Sequence, residues 1–273
     1  LAFYEELVSF CKKYKIYIML SAEKIKQNLD DFYHKIGKLF PTRKDNIIAM
    51  YKDLGEERLA FAPASSFNYF HNAFPGGYVD HILRVMEFSY KMYSTWRDLG
   101  MNVSNFTIEE LLFAAAHHDL GKLGQPGEGN EYYLINDSEW HRKNLGKEFK
   151  RNEAIQNFPI QDGSLYLLQY YDIKLSFNEY LGIKIHDGMY DEANKPILAG
   201  FNLDQKLKTN LPIILHHADY AAARFEFERW KGSNVNDYKT ASQPVKKSAH
   251  GKAGTSLSPA NTDASAFNSL FEG

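Results

Sequence analysis

The chain has 273 residues, 44% hydrophobic and 24% charged, enough to bury a sizeable core as one large domain or two small ones. A formal net charge of -2 excludes non-specific duplex DNA binding as the main task, which needs a strongly positive face, but leaves room for a local basic groove. The lone cysteine, Cys11, rules out an internal disulfide, and no run approaches the roughly 20 apolar residues of a membrane span, so a reducing, cytoplasmic location is expected.

From Tyr4 to about Asp53 apolar residues recur at helical spacing, as in Ile25, Leu29, Phe32, Ile36 and Leu39, with a break at Pro41. Early in that stretch "KKYKIYIML" is too short for a signal-peptide core. Residues 61 to 81, "FAPASSFNYFHNAFPGGYVDH", read as a loop punctuated by Pro63, Pro75, Gly76 and Gly77. A helix is expected from about Val79 to Leu99, stopping at Gly100. Thr107 and Glu110 form a capping box, so the next helix starts near Ile108, carries Leu111, Leu112, Ala115 and His118, and stops at Gly121. After the loop "GQPGEGNEYY" comes a basic stretch, "SEWHRKNLGKEFKRNEAI", expected to be helical.

Ser176 and Glu179 make a second capping box, for a helix ending at His186-Asp187-Gly188, and the last strong helix begins near Leu211-Pro212. Alternating apolar and polar runs are few, so the fold is expected to be all-α. From Lys231 the chain is rich in Ser, Ala, Lys, Gly and Asn and should be a disordered tail. It closes on "FNSLFEG", where Phe267, Leu270 and Phe271 fall on one face of a helical turn. The expected division is an N-terminal helical segment over 1-60, a main domain over 61-230 and the tail over 231-273.

A divalent metal needs neutral imidazoles and ionised carboxylates on rigid elements. His81 opens one helix, His118-Asp119 closes another, and Asp219 lies on the last helix among Ala218, Ala221, Ala222 and Ala223. Ten histidines are scattered through the chain, so lone ones such as His34 and His71 read as ordinary polar groups. His117 and His217, about 100° round a helix from stronger candidates, stand between support for the ligands and simple solvation, with His117 favoured as a neighbour of the site.

The order His81, His118-Asp119 in "AAAHHDLGK" and Asp219 in "LHHADYAAARFE" resembles the HD-domain metal-dependent phosphohydrolase superfamily. The lead-in "APASSFNYFHNAFPGGYVDHILRV" is similar to the subgroup that places Gly-Gly-x-x-x-His before its first ligand helix, which includes bacterial 3'-to-5' exoribonucleases. "WHRKNLGKEF", "LYLLQYYDIKLSFNEYLGIKIHDGMYDEANKP" and "LHHADYAAARFEFERW" look closest to HD hydrolases encoded by tailed phages, over residues 40 to 230. The resemblance implies an HD-type helical bundle around a metal site, in the host cytoplasm for a phage-encoded chain. His81, His118, Asp119 and Asp219 would be the ligands of one ion, and His141 and His186 would serve a second, with Asp119 bridging. The segment Ile185-His186-Asp187-Gly188 departs from the more usual His-His-Gly, and His141 lacks the small neighbour often found beside it.

A bound divalent ion (Mn, Mg, Fe, Co or Ni) lowers the pKa of water towards about 7 and so makes a nucleophile at neutral pH. Asp119 and Lys122 are the catalytic candidates, Lys122 reaching a phosphate oxygen or, on the plainer reading, capping a helix end. Arg142 and Lys143, with Lys147 and Lys150, are the candidate phosphate binders, although such a charge run is more often a solvated face. Gly124, Gly127 and Gly129 suggest a loose loop rather than a nucleotide-binding P-loop.

The leading expectation is hydrolysis of a phosphate ester or anhydride of a nucleotide. A 3'-to-5' exonuclease on a single-stranded nucleic-acid end, a di-iron oxygenase and a non-catalytic protein with a structural metal staple are the alternatives. The terminal FNSLFEG motif suits a groove on a sliding-clamp-like protein partner, or folds back on its own helices.

Overall fold

A computed structural model describes residues 19-200, 202, 204 and 206-233. Lys231 to Ser233, expected to open the tail, continue the last helix; the rest of the tail from 234 onwards, with its apolar terminus, and the helical pattern before residue 19 lie outside the described residues.

Helix α1, Ala22–Leu39, starts where the Ser21 side chain accepts from Lys24 N, and it buries Ala22, Ile25, Phe32 and Ile36 along one stripe. It ends at Phe40, just before Pro41. Helices α2 (Lys44–Leu54) and α3 (Glu56–Phe61) meet at Gly55 and pack back onto α1. A loop leads to α4, Gly77–Asp98. Gly76 takes a positive φ of 83°, and a Cβ on Gly77 would fall on Asn72 O, so the Gly-Gly pair lets the chain turn tightly into α4.

Helix α5, Ile108–His117, has the expected capping box: Glu110 N donates to Thr107 Oγ1 at 3.1 Å, and Thr107 N donates to Glu110 Oε2 at 2.7 Å. Every residue from Leu111 to His117 is buried, because this helix is apolar all round and the others wrap it. The helix closes at His117, short of the expected stop at Gly121. His118 is its C-cap, and a 3-10 turn, Leu120–Leu123, carries Lys122.

The segment 138-155 is not one basic helix. It holds α6, Glu139–Leu145, ended by Gly146 in the left-handed region at φ 60°, followed by a short strand. That strand, β2 (Phe149–Arg151), pairs antiparallel with β1 (Tyr133–Ile135), Leu134 facing Lys150. The architecture is therefore mostly helical with one two-stranded sheet among the described residues.

Helix α7, Ile160–Tyr170, packs against the 3-10 turn after Asp119. Helix α8, Phe177–Lys184, is opened by the Ser176–Glu179 capping box. It stops before His186, which lies in the following loop ahead of the 3-10 turn Gly188–Tyr190. A four-residue helix, α9 (Lys195–Leu198), precedes the long α10, Leu211–Ser233, which lies along α4.

One apolar core joins these elements: Phe32, Ile36, Met50 and Tyr51 of the N-terminal helices pack with Ile82, Phe113, Leu167, Ile183 and Ile214. Each such side chain contributes about 1.5–3 kcal/mol when fully buried. Arg43 adds a polar tie, placing both guanidinium nitrogens on Glu179 at 2.8 and 2.9 Å and one on Glu109 at 3.1 Å, so α2, α5 and α8 are held together. No helix among the described residues is long and apolar enough to cross a membrane.

Candidate metal centre

The packing of α4, α5 and α10 brings three separate parts of the sequence to one point. His81 comes from the second turn of α4, His118 and Asp119 from the end of α5, and Asp219 from the middle of α10. His186 enters from the loop after α8. His81, His118, Asp119 and His186 are buried, and Asp219 is half-buried.

Two ligand sets overlap at His118. His81, His118 and Asp219 form one, and His118, Asp119 and His186 the other, each with its ligand atoms within 4.8 Å of one another. His81 Nε2 lies 3.1 Å from Asp219 Oδ1 and 3.7 Å from Asp119 Oδ2. His118 Nε2 lies 3.4 Å from Asp119 Oδ2, whereas His186 Nε2 lies 3.8 Å from the other oxygen, Oδ1. Asp119 thus turns one oxygen to each side of the cluster.

The imidazoles are oriented from behind. His81 Nδ1 meets the Glu226 carboxylate at 3.1 and 3.2 Å, His118 Nδ1 meets Ala115 O at 2.9 Å, and His186 Nδ1 meets Ile183 O at 2.8 Å. Each acceptor places the ring proton on Nδ1 and leaves the Nε2 lone pair for the centre. The buried Nε2 atoms of His81 and His118 make no hydrogen bond of proper geometry. Buried polar atoms without partners are costly, and three imidazole nitrogens converging on two carboxylates suit a borderline divalent cation. The residues present therefore fit a metal.

The local charges point the same way. Burial disfavours ionised Asp119, yet the charges of Lys122 and His118 hold its carboxyl well below the usual carboxylate range. Asp219 is likewise held low against burial, by His81, whose Nε2 stands 3.1 Å away, and by the His118 charge. Burial opposes a proton on His81, but Glu226 and Asp219 push its pKa up to about 10. Without a cation the carboxylates thus hold protons on imidazoles, and those protons occupy the place of positive charge.

A second layer of charge sits behind His81. Glu226 also takes Arg84, Arg84 pairs with Asp80 at 3.0 Å, and Asp80 accepts from Arg229 at 2.8 Å and from Asn72 at 2.9 Å. Ser164 on α7 donates to His118 O at 2.9 Å and accepts from Gly121 N at 2.8 Å, clamping the turn that carries Asp119. Lys122 Nζ lies 2.5 Å from Asp119 Oδ2. Asp119, Lys122, His186 and Asp219 line a cavity of about 450 Å³ that opens to solvent past Tyr190 and Tyr220.

Not every expected residue is in this place. His141 is exposed on α6 against Trp140 and belongs to neither ligand set. Arg142 donates to Asn136 O, and Lys143 pairs with Glu139 at 2.6 Å on the exposed face of α6; neither lines the cavity. Gly146 ends the helix between Lys143 and Lys147, and Lys150, on β2, pairs with Asp137 at 2.6 Å. His117 packs among the rings of Phe40, Tyr51 and Phe113 and bonds Phe113 O at 2.8 Å, making it a core histidine. His217 is solvent-exposed beside Trp96, and His34 is exposed on α1. The glycine loop is tied down: Arg58 donates to Gln125 O at 2.8 Å and Gly127 O at 2.7 Å, and Asn152 donates to Gly129 O at 2.9 Å.

Sequence reasoning missed Glu226, His216 and the role of His71. Glu226 lies seven residues after Asp219, two turns along one face of α10, a spacing that could have marked it. His71 lines the cavity with its ring 4.8 Å from that of His81, and His216 Nδ1 meets His186 O at 2.8 Å. Only the tertiary fold brings those two to the site. No family model, curated protein or solved structure matches this chain.

Proposed function

We propose that the chain is a metal-dependent phosphohydrolase acting on a phosphate ester or anhydride of a nucleotide, in an HD-type helical bundle. The observation that carries this reading is the pair of overlapping ligand sets, with Asp119 facing both and Lys122 beside it on the wall of an open cavity. A buried site with ligands and no cavity would support a structural staple instead.

When bound, a divalent cation supplies Lewis-acid charge that makes water nucleophilic near neutral pH. His81, His118 and Asp219 would hold one ion, and Asp119 and His186, with His118 between the sets, provide for a second. Lys122 keeps its proton, because Asp119 outweighs burial and raises its pKa; it offers a fixed positive charge to a phosphate oxygen whose negative charge grows during displacement. Glu226 and the carbonyls of Ala115 and Ile183 hold the imidazole planes, so the ligands need little rearrangement as charge shifts.

The test is phosphate release and product mass for a panel of nucleotides and short oligonucleotides with Mn, Mg, Co, Fe and Ni. Metal-dependent release from mononucleotides supports the reading. Processive shortening of single strands without action on mononucleotides would replace it with the exonuclease, and an oxygen-dependent product would replace it with the di-iron oxygenase.

A further inference from the structure

The rim of the cavity carries two tyrosines whose rings are left largely in solvent. Tyr190 is 75% exposed and Tyr220 53% exposed, and their rings are near-parallel at 25° with centroids 6.2 Å apart. Single exposed aromatics are common on protein surfaces and need no explanation. Phe177 and Tyr180 form a comparable exposed pair on α8, but they are not among the residues lining this cavity. The pair at the rim differs by its place. Tyr220 follows Asp219 directly, and Tyr190 is four residues beyond His186, so each ring is fixed by the chain at a short distance from a ligand.

The platform is braced. His216 bonds His186 O, and its ring lies 5.9 Å from that of Tyr190. A Cβ on Gly188 would fall on the His216 imidazole, so the turn Gly188–Tyr190 is seated directly against α10. Asn194 donates to Gly188 O at 3.0 Å, and Gln161 donates to Asp191 Oδ2 at 3.1 Å, holding the turn from its far side. The backbone that carries the rings is thus held in place before binding, which lowers the ordering cost. The cavity, about 450 Å³, is within the range of small-molecule sites and exceeds what a lone phosphate fills.

We infer that Tyr190 and Tyr220 form a stacking platform for the base of a nucleotide whose phosphate is held at the His81, His118, Asp119, His186 and Asp219 cluster. This rests on the phosphohydrolase reading and adds to it the two residues that read the base, by which nucleotides are taken in preference to sugar phosphates. A flat uncharged π-face matches tyrosine rings, and stacking tolerates any base, so the platform selects for the presence of a base rather than its identity. Asp187, which also lines the cavity, offers an acceptor to an exocyclic amino group.

The test is calorimetric titration of the full chain, with Mn2+ present, by the 5'-methylenephosphonate analogues of AMP and of ribose 5-phosphate, neither of which can be hydrolysed. The AMP analogue should bind roughly tenfold more tightly, and the preference should collapse in Tyr190→Ala/Tyr220→Ala while Tyr190→Phe/Tyr220→Phe keeps it. If the double alanine variant does not fold, Tyr190→Ala alone, at the more exposed position, should lose part of the preference. Equal binding of the two analogues by the parent, or a preference unchanged in the alanine variants, would overturn the platform. A hexamer of deoxyadenylate binding more tightly than the AMP analogue would assign the platform to a strand end, and the reverse to a mononucleotide. Phosphate release from AMP is measured separately, so a base preference without hydrolysis would sink the phosphohydrolase reading while leaving the platform standing.

Discussion

Replacing Glu226 with glutamine keeps the side-chain shape and removes one charge. Glu226 is fully buried and accepts on both oxygens, from His81 Nδ1 and from Arg84. An amide has only one acceptor oxygen, so either His81 or Arg84 must face an NH2 group, donor against donor. Losing a histidine's carboxylate partner behind a metal typically costs tenfold to a hundredfold in metal affinity, or about 1.4 to 2.7 kcal/mol. Glu226→Ala is the poorer probe, because it strips Arg84 of one of its two carboxylates and breaking a buried pair destabilises by about 3–5 kcal/mol. Chelator competition with Mn2+, read against thermal unfolding of the metal-free protein, separates affinity from folding. The pH profile adds a second readout. Against burial, Glu226 and Asp219 raise His81 to about 10, so at neutral pH a cation must displace a proton from it. Without the Glu226 charge that proton leaves at lower pH, and the affinity of the variant should level off earlier than that of the parent. The loss is then greatest at high pH, where neither protein has a proton to displace. A variant that binds metal within twofold of the parent, with the same pH profile, would refute the role given to Glu226.

His118→Ala or Asp219→Asn should lose metal retention and phosphate release together, and full activity in either would remove the metal centre. His186→Ala should lower the metal count per chain while the exposed His141→Ala leaves count and rate unchanged; elemental analysis of protein purified without chelator distinguishes them. Glu110 provides an acid-sensitive tie between α5 and α8. Burial opposes its ionisation, but hydrogen bonds from Ser176, Thr107 and Asn178 hold its pKa below the ordinary 4.5. Its folded pKa is lowered, so its contribution is fully present above the unfolded value and fades as pH falls through the folded one. The stability gap between parent and Glu110→Gln, from urea unfolding, should therefore be widest at neutral pH and close in acid. A gap that widens in acid would contradict that assignment.

The helices that carry the ligands were legible in the sequence because their signals are local. Both capping boxes, the Gly76-Gly77 lead-in and the apolar run before His117 act within a few residues, so α4, α5, α8 and α10 appear close to where they were expected. His81, His118, Asp119 and Asp219 were likewise marked by residue type and order, and His186 only by the resemblance to the HD superfamily. Which of them meet depends on packing. Gly146 turned a basic run into a short helix and a strand, which put His141 and Lys143 on an exposed surface and turned the half-buried Arg142 to Asn136 O. His117 and His118 are adjacent in sequence, yet the end of α5 points one into the aromatic core and the other into the His-Asp cluster. His71, His216 and Tyr190 carry no local pattern that assigns them to the site, and Glu226 carries only its seven-residue spacing from Asp219. They reach it because α4, α10 and the turn after His186 bury their apolar faces against one another. That burial is non-local, and residue order alone does not specify which polar groups it leaves facing the same cavity.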